Sequence, residues 1–268
     1  FHAAEISREA IKRGFELIIG VGGDGTMNEI ANGFYENTKI INPETAMGIV
    51  PSGTGCDFIK SLNIPFKLKN TMKVLANAPN SLIDIGKVKF STEEGKEQMR
   101  YFLNVADFGF GGEVVKKVNE RRMKRKTSSY LKCMLSTILS YKNKTLGIKI
   151  DDKEFPNDEY LMGAISNGKI FGKGMKIAPG AKLNDGLFDV VLIKAMKLVR
   201  FFSNAWKIYS GTHLSHPHIS LHRGRKIEVY LTDTSDKILL DIDGEQIGKL
   251  PATFEIIPRS LLVKGYPI

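Results

Sequence analysis

LIIGVGGDGTMNEIANGF, residues 17–34, decides how this chain is read. Leu17, Ile18, Ile19 and Val21 are a short apolar run of the kind that fills a buried strand. Gly22, Gly23 and Gly25, with Asp24 among them, then turn the chain. Met27, Ile30, Ala31 and Phe34 follow at helical spacing and share one face of a helix. A strand, a glycine turn and a helix N-terminus together make an anion site. Backbone N–H groups can approach a ligand there, and the helix dipole favours negative charge. The turn formally matches G-x-G-x-x-G through Gly20, Gly22 and Gly25, a dinucleotide fingerprint. Asp24 argues against that match, because a bare carboxylate inside a pyrophosphate cradle repels the ligand. An acid fits there where Mg²⁺ or a lysine intervenes, as in phosphoryl transfer. The plain alternative is a glycine-rich connection in which Asp24 caps the helix.

Outward from this stretch, residues 3–13 read as a helix closed by Gly14. AMGIV at 46–50 is a second apolar strand, and it runs into a second glycine turn, PSGTGCDF at 51–58. A helix near 67–78 carries Leu68, Met72, Leu75 and Ala76. Alternating helices and strands over the first 80 residues predict a doubly wound α/β domain, with ligands at the carboxyl ends of its strands. After Pro79 the texture changes. SLIDIGKVKF and RYFLNVADFGF read as strands, 111–141 as one or two helices, and 145 onward as short strands. Turn signals separate these at Asp151-Asp152, Asn184-Asp185-Gly186 and Asp243-Gly244, and one helical interval, 197–210, interrupts them. The expected organisation is an α/β domain over 1–80 and an all-β, sandwich-like domain over 81–268. The last strand is left free to return to the first domain, and the active site is expected in the cleft between the two.

Hydrophobic content of 42% and charged content of 25% are those of an ordinary globular protein. Two cysteines, Cys56 and Cys133, make neither a disulfide framework nor a metal cluster, and this points to a reducing cytoplasm. No apolar run reaches the roughly 18 residues of a membrane span. The net charge of +10 permits attraction to nucleic acid, anionic lipid or nucleotide and selects none of them. Eight Lys or Arg residues lie between Lys116 and Lys132 against one acid, Glu120. That stretch reads either as a basic helix facing an anionic membrane or as a solvated helix face. No nucleic-acid motif accompanies it. Four histidines between His213 and His222 have no Cys or carboxylate at ligand spacing and read as loop and strand-edge residues. Neither G-x-x-x-x-G-K-[ST] nor a full protein-kinase set of H-R-D with D-F-G is present.

Four segments in order carry a resemblance to a known family. GGDGTMNE at 22–29 resembles the nucleotide signature of diacylglycerol, sphingosine and ceramide kinases and their bacterial relatives; NAD kinases carry a similar GGDG. PSGTGCDF resembles that family's P-x-GT-x-ND-F element. SNGKIFGKGMKIAPGAKLNDGLFDVVLI at 166–193 and DIDGEQI at 241–247 resemble its mid-domain and DGE elements, which separate lipid kinases from NAD kinases. The bacterial diacylglycerol kinase-like group is the best fit.

The resemblance implies an NAD kinase-like fold and an ATP-dependent kinase acting on diacylglycerol or a related lipid, with phosphatidic acid as product. It implies nucleotide contacts at Gly22, Gly23, Asp24, Gly25, Thr26, Met27, Asn28 and Thr54. It implies an organising role for Asp84, and a Mg²⁺ held by Asp185 with the carbonyls of Lys182 and Leu187. A tight Asn-Asp-Gly turn is the alternative for that last loop. Asp243 and Glu245 are implied at the cleft, one of them as general base, with Glu245 preferred; without the resemblance Asp243-Gly244 reads as a hairpin turn. Expected partners are ATP, a diacylglycerol-like lipid and an anionic membrane surface visited peripherally from the cytoplasm, with a homodimer left open and no nucleic acid. The alternatives are an NAD kinase-like enzyme and an inactive nucleotide- and membrane-binding protein. The chain departs from the family pattern in three places. The family's first strand and N-P-x-S/A-G turn, well upstream of GGDGT, are expected to be missing. Cys56 replaces an Asn, and Gly111 stands where Asp is frequent.

Overall fold

The computed structural model describes residues 1–120, 136–196, 198–233 and 235–265. Residues 121–132 of the basic stretch Lys116–Lys132, expected either as a membrane-facing helix or as a solvated helix face, lie outside the described residues, as do 133–135.

The N-terminal unit is α/β. Helix α1 (His2–Lys12) buries Ala4, Ser7 and Ile11. Strand β1 (Leu17–Gly22), expected to be buried, lies at the end of the sheet order with Ile19 and Val21 exposed, and it leads into α2 (Asp24–Gly33). A small hairpin of β2 (Tyr35–Glu36) and β3 (Lys39–Ile40) was not apparent from the sequence pattern. β4 (Ala46–Pro51) lies parallel to β1, with Leu17 opposite Ala46 and Gly22 opposite Pro51. Both glycine turns therefore leave the same edge of the sheet, at the carboxyl ends of adjacent parallel strands. The short α3 (Asp57–Ser61) and then α4 (Leu68–Asn77) follow. The helices cover both faces. A side chain at Gly20 would meet Ile30 and Met27 of α2, whereas one at Gly48 would meet Leu75 of α4. The absent side chains let each helix sit close to the sheet. Met27, Ile30, Phe34, Met47, Ile49, Phe58 and Leu62 fill the core on the α2 side.

The C-terminal unit is β-sandwich-like. β5 (Asn80–Ser91) and β6 (Glu97–Phe102) form a hairpin, followed by β7 (Val105–Gly109) and α5 (Phe110–Glu120). β8 (Lys144–Ile150), β9 (Lys153–Ser166) and β10 (Phe188–Lys194) come next. Helices Leu198–Ala205 and Lys207–Ser210 precede β11 (Ile219–Gly224), β12 (Lys226–Leu231), β13 (Leu239–Ile242) and β14 (Glu245–Lys264). Pairings run β14–β12–β8–β9–β7–β13 and back to β14, so the strands close around one core. Phe90, Phe102, Phe108, Phe188 and Phe254 occupy that core, all of them essentially buried.

RYFLNVADFGF, expected as one strand, is two. The break at Leu103–Asn104 arises because three successive amides there turn to a single carboxylate, that of Asp243. β14 joins the two units. It pairs with β12 and β13 through its first half and lies parallel to β4 at Leu262 and Val263, while β5 runs antiparallel along most of its length. The change between halves falls at a bulge between Ile257 and Leu261, where Arg259 adopts a φ of 47°.

Opposite Gly163 on β9 lies Phe108 of β7, whose ring fills the space above the glycine. A Cβ at 163 would lie 2.2 Å from Phe108 Cζ. Gly163→Ala is expected to lower stability by about 1–3 kcal/mol through overpacking. The urea midpoint is the readout, and an unchanged midpoint would contradict this packing.

Candidate active site

The two glycine turns touch backbone to backbone. A Cβ on Gly53 would lie 2.5 Å from Gly23 Cα, so only glycine permits the approach. Asp24 fastens the contact. Its carboxylate accepts the Asp57 amide at 3.0 Å and the Phe58 amide at 3.0 Å. Asp24 thus caps α3, the helix of the other turn, rather than its own. Burial raises its pKa while the two amides oppose the shift. With both oxygens so engaged, Asp24 has its backbone N–H rather than its carboxylate to offer a ligand. Cys56 completes the joint. Its thiol accepts from the Gly53 amide at 3.2 Å and reaches the Gly22 carbonyl at 3.7 Å. Its φ of 44° is a region that Asn tolerates well.

The other expected nucleotide contacts divide in the same way. Gly22, Gly23, Gly25 and Thr26 line the start of α2, where early helical N–H groups have no intrahelical acceptor. Thr54 is exposed at the tip of the second turn. Met27 is buried in the core beneath them. The Asn28 side chain is also buried and turns away from the turn, its amide donating to the Tyr101 carbonyl at 3.0 Å and to Asp243 at 2.8 Å. Met27 and Asn28 can meet a nucleotide only through their backbone.

Glu245 stands over the N-terminus of α2. A Cβ on Gly25 would lie 2.8 Å from Glu245 Oε1, so the third glycine of the turn makes room for this carboxylate. Burial raises the Glu245 pKa from its ordinary value, and Arg100, 3.5 Å away, opposes the shift. The Glu245 side chain stays 40% exposed, which leaves it reachable by a substrate. Asp243 differs sharply. Its carboxylate accepts from Asn28, Leu103, Asn104 and Val105 at 2.8–3.1 Å, and burial pushes its pKa up to about 6 against those donors. Four donors occupy its lone pairs. It stands as the carboxylate that shapes the 103–105 bend rather than as a free base.

Asp84 is buried, and both of its oxygens accept amides, from Gly186 at 2.7 Å and Arg259 at 2.7 Å. It ties the 183–187 loop to the β14 bulge. In that loop Asp185 accepts the Leu187 amide at 3.1 Å and pairs with Arg223, which also binds Asp189. The oxygens of Lys182, Asp185 and Leu187 suit a hard cation by type. The positive charge at Asp185 is, however, the Arg223 guanidinium. Among the described residues no group of three or more His, Cys, Asp or Glu could hold a metal. The histidines fit this picture: His213 is buried with Nε2 3.0 Å from the Ile177 carbonyl, and His218 Nδ1 lies 2.9 Å from the Ala195 carbonyl.

One feature had no signal in the sequence. Asp107 on β7 and Asp241 on β13 face each other in register, both buried. Asp107 Oδ1 and Asp241 Oδ2 have no hydrogen-bond partner among the described residues. A side chain at Gly111 would overlap the Asp107 carboxylate, which accounts for glycine there. Burial pushes Asp107 up to about 7, and burial together with the Asp107 charge holds Asp241 well above the carboxylate range.

A helix-borne glycine cradle with a reachable carboxylate across it is the layout of a phosphotransferase. The comparisons with known proteins make this specific. Residues 1–88 match the family model described as diacylglycerol kinase catalytic domain, and residues 104–265 that described as YegS C-terminal NAD kinase beta sandwich-like domain. A diacylglycerol kinase of Bacillus subtilis (strain 168) is 31% identical over 267 residues, 97% of this chain and 81% of that protein. The crystal structure of a diacylglycerol kinase from Bacillus anthracis str. Sterne aligns over 99% of this chain and 81% of its own, with TM-score 0.69 at 18% identity. Yeast NADH kinase shares the fold more distantly, with TM-score 0.51 at 13% identity over 94% of this chain and 62% of its own. This chain belongs to the bacterial diacylglycerol kinase-like family of lipid kinases.

The Asp107–Asp241 pair sets a pH dependence. The native state keeps a proton that the unfolded chain releases above its ordinary carboxylate pKa. Stability from this pair is therefore full in acid and is lost as pH rises from about 4 through 7. Asp241→Asn is expected to gain about 1–3 kcal/mol over the parent at pH 8 relative to pH 5. Urea titrations at both pH values test this, and parallel changes in the two proteins would contradict it.

Proposed function

We propose that the chain transfers the γ-phosphate of ATP to the hydroxyl of diacylglycerol or a related lipid, giving a phosphatidic acid-like product. The observation that carries this reading is Glu245 over the Gly25 edge of the nucleotide turn. Backbone N–H groups of Gly22 to Thr26, with the Thr26 and Thr54 hydroxyls, receive phosphate oxygens. A lipid alcohol is a weak nucleophile. Glu245 takes its proton as the oxygen bonds to the γ-phosphorus and the bond to ADP breaks. A raised pKa suits that role, and Asp243 supports it by fixing the bend beside Asn28. Mg²⁺ enters as part of the substrate, MgATP. A cation at Lys182, Asp185 and Leu187 would have to displace Arg223. We infer a cytoplasmic protein working peripherally at the membrane, where its lipid substrate resides.

Labelled ATP offered with diacylglycerol, sphingosine, ceramide or NAD in mixed micelles tests the assignment. Label in a lipid is expected, and label in NAD alone would overturn it. Glu245→Gln should lower kcat by about 10²–10⁴-fold with KM for ATP and the urea midpoint little changed. Asp243→Asn should instead lower the midpoint, since its NH₂ would face amide donors. Unchanged turnover in Glu245→Gln would remove Glu245 as base.

A further inference from the structure

We propose that the ridge formed by Trp206 and Tyr209 is the surface by which this protein seats on an anionic bilayer. The inference rests on the lipid kinase reading, since that reading supplies the need to meet a membrane. It assigns the contact to residues other than the basic stretch Lys116–Lys132.

Trp206 is 63% exposed and Tyr209 is 55% exposed. The Tyr209 amide donates to the Trp206 carbonyl, so the two rings lie one turn apart on the same side of a short helix. Tryptophan and tyrosine favour the membrane–water boundary, where an apolar ring and a polar tip are both accommodated. The polar groups around them are already satisfied. The Trp206 indole N–H donates to the Ser203 carbonyl, Ser203 Oγ and the Asn204 amide to the Arg200 carbonyl, and Ser210 Oγ to the Lys207 carbonyl. A surface whose own donors bond to its own backbone loses little on leaving water.

The two segments that form the ridge carry charge of one sign. No Asp or Glu occurs from Val190 to Ile227, and none from Tyr160 to Asn184. Those two segments meet at the ridge. The Lys176 amide donates to the Ile208 carbonyl at 2.9 Å, and a side chain at Gly211 would meet Pro179 and Lys176 Cβ. Exposed Lys176 and Arg200 and half-buried Lys207 thus flank two exposed aromatic rings with no acid in either segment. Such a surface complements anionic headgroups.

The ridge is joined to the candidate active site by one loop. Ile170 accepts from Asn104, the neighbour of the Asp243 bend, at 2.7 Å. Lys169 and Lys173 donate backbone amides to Ser61 Oγ and Asp57 Oδ2 beside α3. Three residues further on the same loop holds Ile208. A bilayer seated on the ridge therefore bears on the loop that closes against the second glycine turn.

Trp206 is the only tryptophan of the chain, so its emission reports this surface directly. The full protein titrated with phosphatidylglycerol vesicles should show blue-shifted emission quenched by brominated acyl chains, with little response to phosphatidylcholine. Sedimentation should show Lys176→Gln with Lys207→Gln weakening partition roughly 30-fold. Trp206→Ala with Tyr209→Ala should also lose vesicle binding, yet phosphorylate a short-chain, water-soluble diacylglycerol at the parent rate. Binding to vesicles with unshifted emission would overturn the proposal by placing the contact elsewhere. A dimer by ultracentrifugation that is lost in Trp206→Ala with Tyr209→Ala would also overturn it, in favour of a second copy. Phosphorylation of the soluble lipid without any vesicle binding would sink the docking surface and leave the kinase reading intact. A shifted emission with no lipid phosphorylated would do the reverse.

Discussion

The structure depends on one carboxylate placed between two turns. Asp24 leaves β1's glycine turn and caps the helix that follows β4's turn. Each charge-assisted bond of this kind contributes on the order of 1.5–3 kcal/mol. They hold together two backbones that meet only because Gly23 and Gly53 lack side chains. Without the clasp, two flexible glycine segments would carry the entropic cost of ordering at the moment a nucleotide binds. With it, the amide groups are arranged beforehand.

A second constraint brings Glu245 to that cradle. β14 runs for 20 residues, beginning at Glu245 and ending parallel to β4. The strand that carries the carboxylate is thus hydrogen-bonded to the strand that carries the second glycine turn. Asp243 and Asn28 complete the tie: Asn28 belongs to α2, Asp243 to the hairpin, and their bond at 2.8 Å joins the helix of the cradle to the turn that presents Glu245. A buried carboxylate with four donors fixes a bend that a backbone alone would not hold. Position, rather than a wealth of charged groups, suits Glu245 to the role proposed for it, because Asp24 and Asp243 are each satisfied by amides of the protein.

Much of this was legible in the residues, for local reasons. AMGIV, LFDVVLI and KIEVYL are strands because short apolar or alternating runs lie between clear turn signals. Asp243-Gly244 makes a hairpin turn with φ values of 50° and 87°, as its composition suggests. What was not legible depends on contacts distant in sequence. RYFLNVADFGF has nothing local to break it; the break comes from Asp243, some 140 positions on. Asn28 follows the glycine turn at the start of α2, yet its side chain faces Tyr101 and Asp243. Asp24 beside α2 suggests a cap for α2, whereas the helix it caps belongs to the other turn. The Asp107–Asp241 pair is formed by register between β7 and β13, which no spacing announces.

The central claim is that Asp24 acts through protein amides, so that the cradle is formed before any cation arrives. Calorimetric titration of Asp24→Asn with ATP, in EDTA and again with Mg²⁺, tests this most directly when the exchange rates of the Asp57 and Phe58 amides are followed in parallel. The account predicts that affinity falls by a similar factor in both titrations and that both amides lose protection. Unchanged affinity for Mg²⁺-free ATP with both amides still protected, and a loss confined to MgATP, would contradict it.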